Sequence, residues 1–460
     1  MTQQEKEFRE GKLLPMLIRF SIPSTISALT IIIYNVTDRY FIGQAVGRNG
    51  IGAIAIIFPI ILLLNATAML FSIGGAALAG IKMGRKDISG ARKVLGASMF
   101  AVIALGAFYT IFGIIFQVPI IKFMGAGENN LKYAVEYNTY FFPSIIFQLI
   151  FNSFCAFVRL EGNPIMSMII NLSSAFANMI LDYLLVMVIP LGMKGAAIAT
   201  SISNIIPAVL LVMYFSRSNL LKLEKKYIKF NGKILKGISS IGVSAFLNQF
   251  FNGMYVYVLN IQLVKYGGEI ALAAMGIMSI LRNFINTSYV GLNQGRQPIL
   301  SYNWGAKNYK RVKDTFYASV SITAVVSALL VMLIVFKAPV MAGFFVKDDP
   351  ELVSYTAKGI YVHLGLMIST AVYLSCTNYF QAVGKGYITS RFIFFRLIVL
   401  SIPLAFILPL KLGVIGALLS FPVSDTLAGI AAVYVMRKEI KNLDFRQKIE
   451  DEKIKRGIRR

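Results

Sequence analysis

Charge is scarce in this 460-residue chain: only 15% of its residues are Asp, Glu, Lys or Arg, and 57% are hydrophobic. Soluble domains carry about a quarter charged residues, so with a mean hydropathy of +0.68 a soluble globular fold is excluded. Cysteine is scarcer still. Cys155 and Cys376 are the only two, both lie in apolar runs, and two isolated thiols make neither a disulfide framework nor a metal centre. A single histidine, His363, excludes a histidine-rich metal site; it is read as a hydrogen-bonded interior residue rather than a proton relay. The chain has no HExxH motif, no carboxylate pair beside a basic cluster in a loop and no cofactor fingerprint. It is therefore not expected to be an enzyme, and no cofactor is expected. Nothing signals a dimer, so a monomer is expected.

What is abundant is apolar length. About 20 consecutive apolar residues span a bilayer, and twelve such runs occur, at 15–42, 51–80, 94–118, 133–158, 165–190, 195–215, 238–264, 270–300, 315–336, 355–382, 392–410 and 412–436. The expected fold is an all-α integral membrane protein. Its polar start, MTQQEKEFREGK, lacks a cleavable signal pattern, and the first run is too long for a signal core, so that run is expected to remain as a spanning helix.

The net charge of +25 marks topology, not nucleic-acid binding. Lys6, Arg9, Lys12, Lys82, Arg85, Lys86, Arg92, Lys93, Arg217 to Lys236, Lys307 to Lys313 and Arg437 to Arg460 all fall on one side. That side holds about 33 of the 46 basic residues and is the cytoplasmic side by the positive-inside rule. The predicted organisation is a cytoplasmic tail (1–12), a six-helix bundle (13–216), a basic linker (217–237), a second six-helix bundle (238–436) and a cytoplasmic tail (437–460). The last tail is a solvated topology signal, with contact to anionic membrane lipid the alternative.

The two halves repeat. Gly84 matches Gly305, Lys86 matches Lys307 and Cys155 matches Cys376, all at one constant spacing. PLGMKGAAIATSISN matches PLKLGVIGALLSFPVSD at nearly the same spacing. Six spans per half leave both halves in the same orientation. Such parallel repeats are related by an axis along the membrane normal, and pseudo-symmetric bundles around a central cavity suit alternating access.

Three acids sit inside apolar runs, Asp38, Asp182 and Asp425, while the others lie in loops, at the ends of runs or in the tails. An intramembrane acid is expensive and usually marks an ion or proton path. Tyr34 precedes Asp38 by one helical turn, and Asn178 precedes Asp182 by one turn on the same face. Asp425 has its repeat partner near Asn204 and is read as offsetting Arg282 or Arg396, with attraction of a cationic substrate the alternative. Arg282, on the eighth run, is read as the partner of an acid, and Arg296 as a snorkelling residue near the cytoplasmic end.

Several stretches in fixed order carry a family likeness: IPSTISALTIIIYNVTDRYFIG, FVRLEGNP followed by NMILDYLL, GMKGAAIATSIS, and GLNQGRQPILSYNWGAKNYKRVK. Together with the duplication they resemble the multidrug and toxic compound extrusion (MATE) family, bacterial drug-efflux branch, over about residues 12–436. The resemblance implies cation-coupled antiport, with H⁺ or Na⁺ moving in and drugs, mainly lipophilic cations, moving out. It implies a coupling site at Asp38, Asp182, Asn178 and Thr200, with Tyr34, Tyr137 and Asn152 around it, and Na⁺ would bind at the first four. It implies a bend at Pro23 and a location in a bacterial or archaeal cytoplasmic membrane. The chain departs from branches with a second-half acidic site: Tyr257 lies near the repeat equivalent of Asp38, and the tenth run has His363 but no carboxylate. The second half, poorer in acids, is expected to form the passive wall of the drug cavity, with Asp425, Arg282, Arg296, Tyr257 and His363 as secondary contacts. The rival reading is a lipid-linked oligosaccharide flippase of the same superfamily, for which the two arginines argue.

Overall fold

The computed structural model describes residues 3–346 and 349–456, and every described element is helical. Among the described residues, ten helices are long and apolar enough to cross a bilayer, and a pair bent by 40° adds an eleventh. One of the ten, Gly232–Gly305, is 74 residues long but breaks at Gly268. At 1.5 Å per residue it measures about 110 Å, so it is two spans, and the count reaches twelve. We number them α1 (Leu13–Val46), α2 (Arg48–Gly84), α3 (Ile88–Phe123), α4 (Asn130–Leu160), α5 (Pro164–Val188), α6 (Gly192–Arg217), α7 (232–267), α8 (269–305), α9 (Tyr309–Phe336), α10 (Pro350–Leu364 with Met367–Ala382), α11 (Gly386–Ile407) and α12 (Pro409–Lys455).

Backbone groups cannot stay unpaired in hydrocarbon, so apolar runs of this length become helices. Polar interruptions between them form short turns. Lys86 and Lys307 both take positive φ, at 63° and 58°. Each precedes a side-chain cap: Asp87 accepts from Gly90 N, and Asn308 accepts from Arg311 N. The duplication therefore extends to the caps. Two spans contain wide turns with longer hydrogen-bond spacing, at Tyr183–Val188 in α5 and Phe395–Ser401 in α11.

The contacts divide the chain into two units. The first runs from Ile26 to Gly242; the second comprises Val243 onward together with the residues up to Thr25. Each half thus gives up the start of its first helix. In the second unit, a Cβ at Gly295 would lie 2.6 Å from Ser21 Cα, and one at Gly291 2.4 Å from Thr25 Cα. In the first unit, a Cβ at Gly74 would lie 2.3 Å from Ile238 O, and one at Gly242 2.1 Å from Leu70 O. Gly74 and Gly295 stand at the same spacing as the matched pair Gly84 and Gly305. Small residues let two helix backbones touch inside a membrane protein, and here they seat α1 on α8 and α7 on α2.

Each unit is also braced at its basic end. In the first, Arg92 pairs with Glu224 at 2.9 Å and donates to the carbonyls of Leu220 and Asn219 at 2.8 and 2.7 Å. Glu161 accepts from Ser218 Oγ and Leu221 N. In the second, α12 runs past the apolar span, and its extension is tied down by Lys313–Asp444 at 2.7 Å, Lys385–Glu439 at 2.7 Å and Lys307–Glu450 at 3.3 Å.

Candidate functional site: two buried charge clusters

The first unit gathers its polar residues from four helices. Asp38 on α1 is 8% exposed, and Asp182 on α5 is fully buried. The two are close enough to interact electrostatically, as are Tyr34 and Tyr137 with both. Asp182 closes the regular part of α5, and the wide turn begins at the next residue. Such turns recur at functional sites. Tyr137 on α4 donates to Thr200 Oγ1 on α6 at 3.3 Å. Asn178 lies beside Asp182, yet no hydrogen bond of normal geometry reaches either Asn178 side-chain atom, either Asp182 oxygen or Asp38 Oδ1. Arg39, next in sequence to Asp38, stacks over Phe58 at 5.7 Å instead of pairing. Carboxylate, amide and hydroxyl oxygens with free lone pairs are the donor set of a hard monocation, and a proton would serve the same acids.

Of the residues read from sequence, this arrangement brings together Asp38, Asp182, Asn178, Thr200, Tyr34 and Tyr137. Asn152 points elsewhere, donating to Asn65 Oδ1 at 3.2 Å. Pro23 lies within α1, in the stretch that packs with the second unit. Asn138, fully buried with both side-chain polar atoms unpartnered, was not foreseen; its place beside Tyr137 was the available signal.

The second unit buries charge as well. Asp425 on α12 is fully enclosed, forms an ion pair with Arg396 Nε of α11 and accepts from Thr370 Oγ1 of α10. Arg396 lies over the rings of Tyr373 and Phe421, at 4.8 and 4.9 Å. Arg282 of α8 lies over the same Phe421 ring at 4.9 Å. His363 completes the group: its Nδ1 is 2.9 Å from Leu418 O, and its ring centroid is 5.9 Å from that of Phe421. Tyr255 on α7 pairs with Ser420 at 3.0 Å. Arg296 stands apart from this cluster by its contacts; it donates to Ser375 O at 2.7 Å. Tyr257 is 70% exposed and joins none of these groups.

The aromatic shelf of Phe421, Tyr255 and Tyr373 was missed from sequence, although the repeat spacing held a clue. Tyr34 and Tyr255, Asn152 and Tyr373, Thr200 and Phe421, and Asn204 and Asp425 all stand at the spacing of Cys155 and Cys376.

Duplicated helical units, each with charge buried deep among apolar spans, define a polytopic membrane transporter. Comparison with known proteins fixes which kind. The MatE family model matches residues 23–184 and 244–407, and the chain belongs to this family of MATE multidrug export transporters, which are not enzymes. It is 29% identical to the multidrug export protein MepA of Staphylococcus haemolyticus, over 93% of this chain and 94% of that protein. It is also 29% identical to MepA of Staphylococcus aureus, over 94% and 96%. Among solved structures, a MATE transporter in complex with MaL6 superposes with a TM-score of 0.91 at 20% identity, covering 96% of this chain and all of that one. An outward-facing multidrug resistance MATE transporter of the MOP superfamily superposes at 0.90, also at 20% identity, covering 96% and 99%.

Proposed function

We propose that this transporter is a cation-coupled antiporter that exports lipophilic, mainly cationic, drugs by alternating access. The observation that carries the proposal is the buried pair Asp38 and Asp182, with both Asp182 oxygens and one of Asp38 lacking hydrogen-bond partners inside a span. Two nearby acids resist joint ionisation and titrate as a pair. Binding a proton, or Na⁺ held by Asp38, Asn178, Asp182 and Thr200, removes that repulsion and changes which packing of the unit is favoured. Tyr137 fixes the Thr200 hydroxyl through its hydrogen bond, and Tyr34 lines the acids. Pro23 leaves a helical carbonyl without its partner, which makes a bend in α1 inexpensive.

One elementary charge crossing 100 mV supplies roughly 2.3 kcal/mol, enough for somewhat under two decades of concentration. In this reading both termini and the basic braces are cytoplasmic, by the excess of Lys and Arg on their side. The protein works as a monomer in the cytoplasmic membrane of a bacterium or archaeon, organised as bundles 13–216 and 238–436. The multidrug export carried out by the MepA relatives supports the substrate class.

Uptake of a fluorescent cationic drug into inverted vesicles, under an imposed pH or sodium gradient, tests the coupling. Asp38→Asn and Asp182→Asn are each expected to lower gradient-driven uptake at least tenfold. Uptake unchanged in both variants would sink the proposal, and the gradient that drives the wild type identifies the ion.

A further inference from the structure

The second unit buries more positive charge than it neutralises. Arg282 and Arg396 share one aromatic ring, Phe421. Asp425 supplies one negative charge, and that charge is engaged by Arg396 and Thr370. Among the described residues no carboxylate lies within ion-pair distance of Arg282, which is 9% exposed and whose Nη1 is buried without a hydrogen bond. His363 cannot supply the missing charge. A carbonyl accepts, so its Nδ1 carries the proton that meets Leu418 O, and its other nitrogen, also without a partner, bears only a lone pair in the neutral ring.

An uncompensated guanidinium in a span is costly, and such groups otherwise pair or face water. The geometry also says how the charge is met. A guanidinium stacked on an aromatic face leaves the N–H fork along its edge free to donate. Arg396 shows the completed arrangement, ring on the face and the Asp425 carboxylate on the edge. Arg282 has the same ring and no carboxylate.

We propose that Arg282 is an anion site, which takes one monovalent anion on its free edge. The chemistry fits a carboxylate, held by two parallel N–H bonds, whether from a small organic acid or from the acidic group of a transported molecule; a free halide would fit by charge alone. In the repeat, Tyr255, Tyr373, Phe421 and Asp425 correspond to Tyr34, Asn152, Thr200 and Asn204. Of these, Tyr34 and Thr200 belong to the acid site of the first unit, so the anion site overlaps its repeat counterpart at Tyr255 and Phe421. The inference does not depend on coupling at Asp38 and Asp182.

The test measures the melting temperature of the purified full chain, with the sodium concentration held constant and sodium sulfate as the baseline salt. Sodium acetate and sodium bromide are titrated in separately. Any ligand of the folded state raises the melting temperature, by an amount that sets in near its Kd and then grows with the logarithm of its concentration. Wild type is expected to show this rise; Arg282→Gln is expected to shift its onset to at least tenfold higher concentration, and Arg296→Gln, on the same helix but outside the cluster, to leave it unchanged. Arg282→Lys keeps the charge but not the fork, so it is expected to weaken acetate more than bromide. A rise that sets in at lower acetate than bromide concentration assigns the site to carboxylates; a rise with bromide alone assigns it to free halide. No rise, or the same rise in Arg282→Gln, overturns the proposal. Should Arg282→Gln fail to fold, anomalous scattering from wild-type crystals grown with bromide or with 4-bromobenzoate decides instead: a bromide ion or the carboxylate of bromobenzoate within hydrogen-bond distance of Arg282 supports the site, and the absence of both there rejects it.

Discussion

In the first unit, Asp38 and Asp182 lie buried and form no ion pair among the described residues; in the second, Asp425 lies buried with two guanidinium groups around it. The clusters share two repeat-related positions, Tyr34 with Tyr255 and Thr200 with Phe421, and each touches a span with a wide helical turn, after Asp182 in α5 and around Arg396 in α11. Duplication preserved the helices, caps and crossings while the charged side chains diverged. The backbone frame and the chemistry it holds have thus been separable: Tyr34 and Tyr255 kept their type, while Thr200 and Asn152 correspond to Phe421 and Tyr373. An acid without a partner is free to exchange its charge for that of a solute. An acid locked to Arg396 and Thr370 is not.

The largest expected effect breaks this contrast directly. Asp425→Asn leaves Arg396 buried without its carboxylate, and breaking one side of a buried pair costs about 3–5 kcal/mol. Asp182→Asn loses no ion pair and no hydrogen bond of normal geometry, and is expected to leave the melting temperature unchanged or raised. Replacing both partners, Arg396→Met with Asp425→Leu, should recover most of the loss. Similar losses for Asp425→Asn and Asp182→Asn in thermal unfolding would remove the distinction between the clusters.

Next in size are the helix crossings. A side chain at Gly74 or Gly295 would meet backbone rather than a movable side chain, and overpacking of this kind costs about 1–3 kcal/mol. Gly74→Val and Gly295→Val should destabilise to similar extents, because the crossings are equivalent. If one is neutral, the exchange of helix starts is not symmetric in strength. Smaller again is Tyr137→Phe, which removes the bond to Thr200 at a cost of about 0.5–1.5 kcal/mol. Tyr255→Phe, which removes the bond to Ser420, should match it.

Much of this was legible in the chain itself. Hydrophobic length fixed the number of spans, once Gly268 is seen to divide the longest helix. The constant spacing of matched residues announced the repeat, and Asp38, Asn178 and Asp182 followed from acids in apolar runs at helical spacing. Arg396 was one of two candidates for Asp425, and only packing could choose. Asn152 went to Asn65 because a helix offers several polar neighbours and sequence does not say which face wins. Tyr257 is exposed while Tyr255 joins the cluster, since a two-residue shift on a helix exchanges an interior face for an exposed one. The wide turns in α5 and α11 were invisible, because they alter hydrogen-bond spacing without a distinctive residue type. The guanidinium cluster was missed for a related reason: its members come from five separate helices and share no local pattern.

The braces offer the smallest and most local test. Arg92 and Lys313 stand at the repeat spacing, and their partners Glu224 and Asp444 stand very nearly so; pH addresses the first of the two. In the first unit the hydrogen bond from Lys226, and then Arg92, hold the Glu224 carboxyl below its ordinary value. A depressed acid contributes stability above its unfolded pKa, about 4.5, and loses it as pH falls through the lower folded value. In the second unit Lys313 meets Asp444 at 2.7 Å. Hydrogen exchange should therefore show amides of 219–227 losing protection below about pH 4.5 in wild type, with low, flat protection in Glu224→Gln. Surface ion pairs like these are screened by solvent, so the change should stay local and leave the melting temperature nearly constant. Protection of 219–227 that is independent of pH in wild type would mean that the carbonyl contacts of Arg92, not its ion pair, hold the linker.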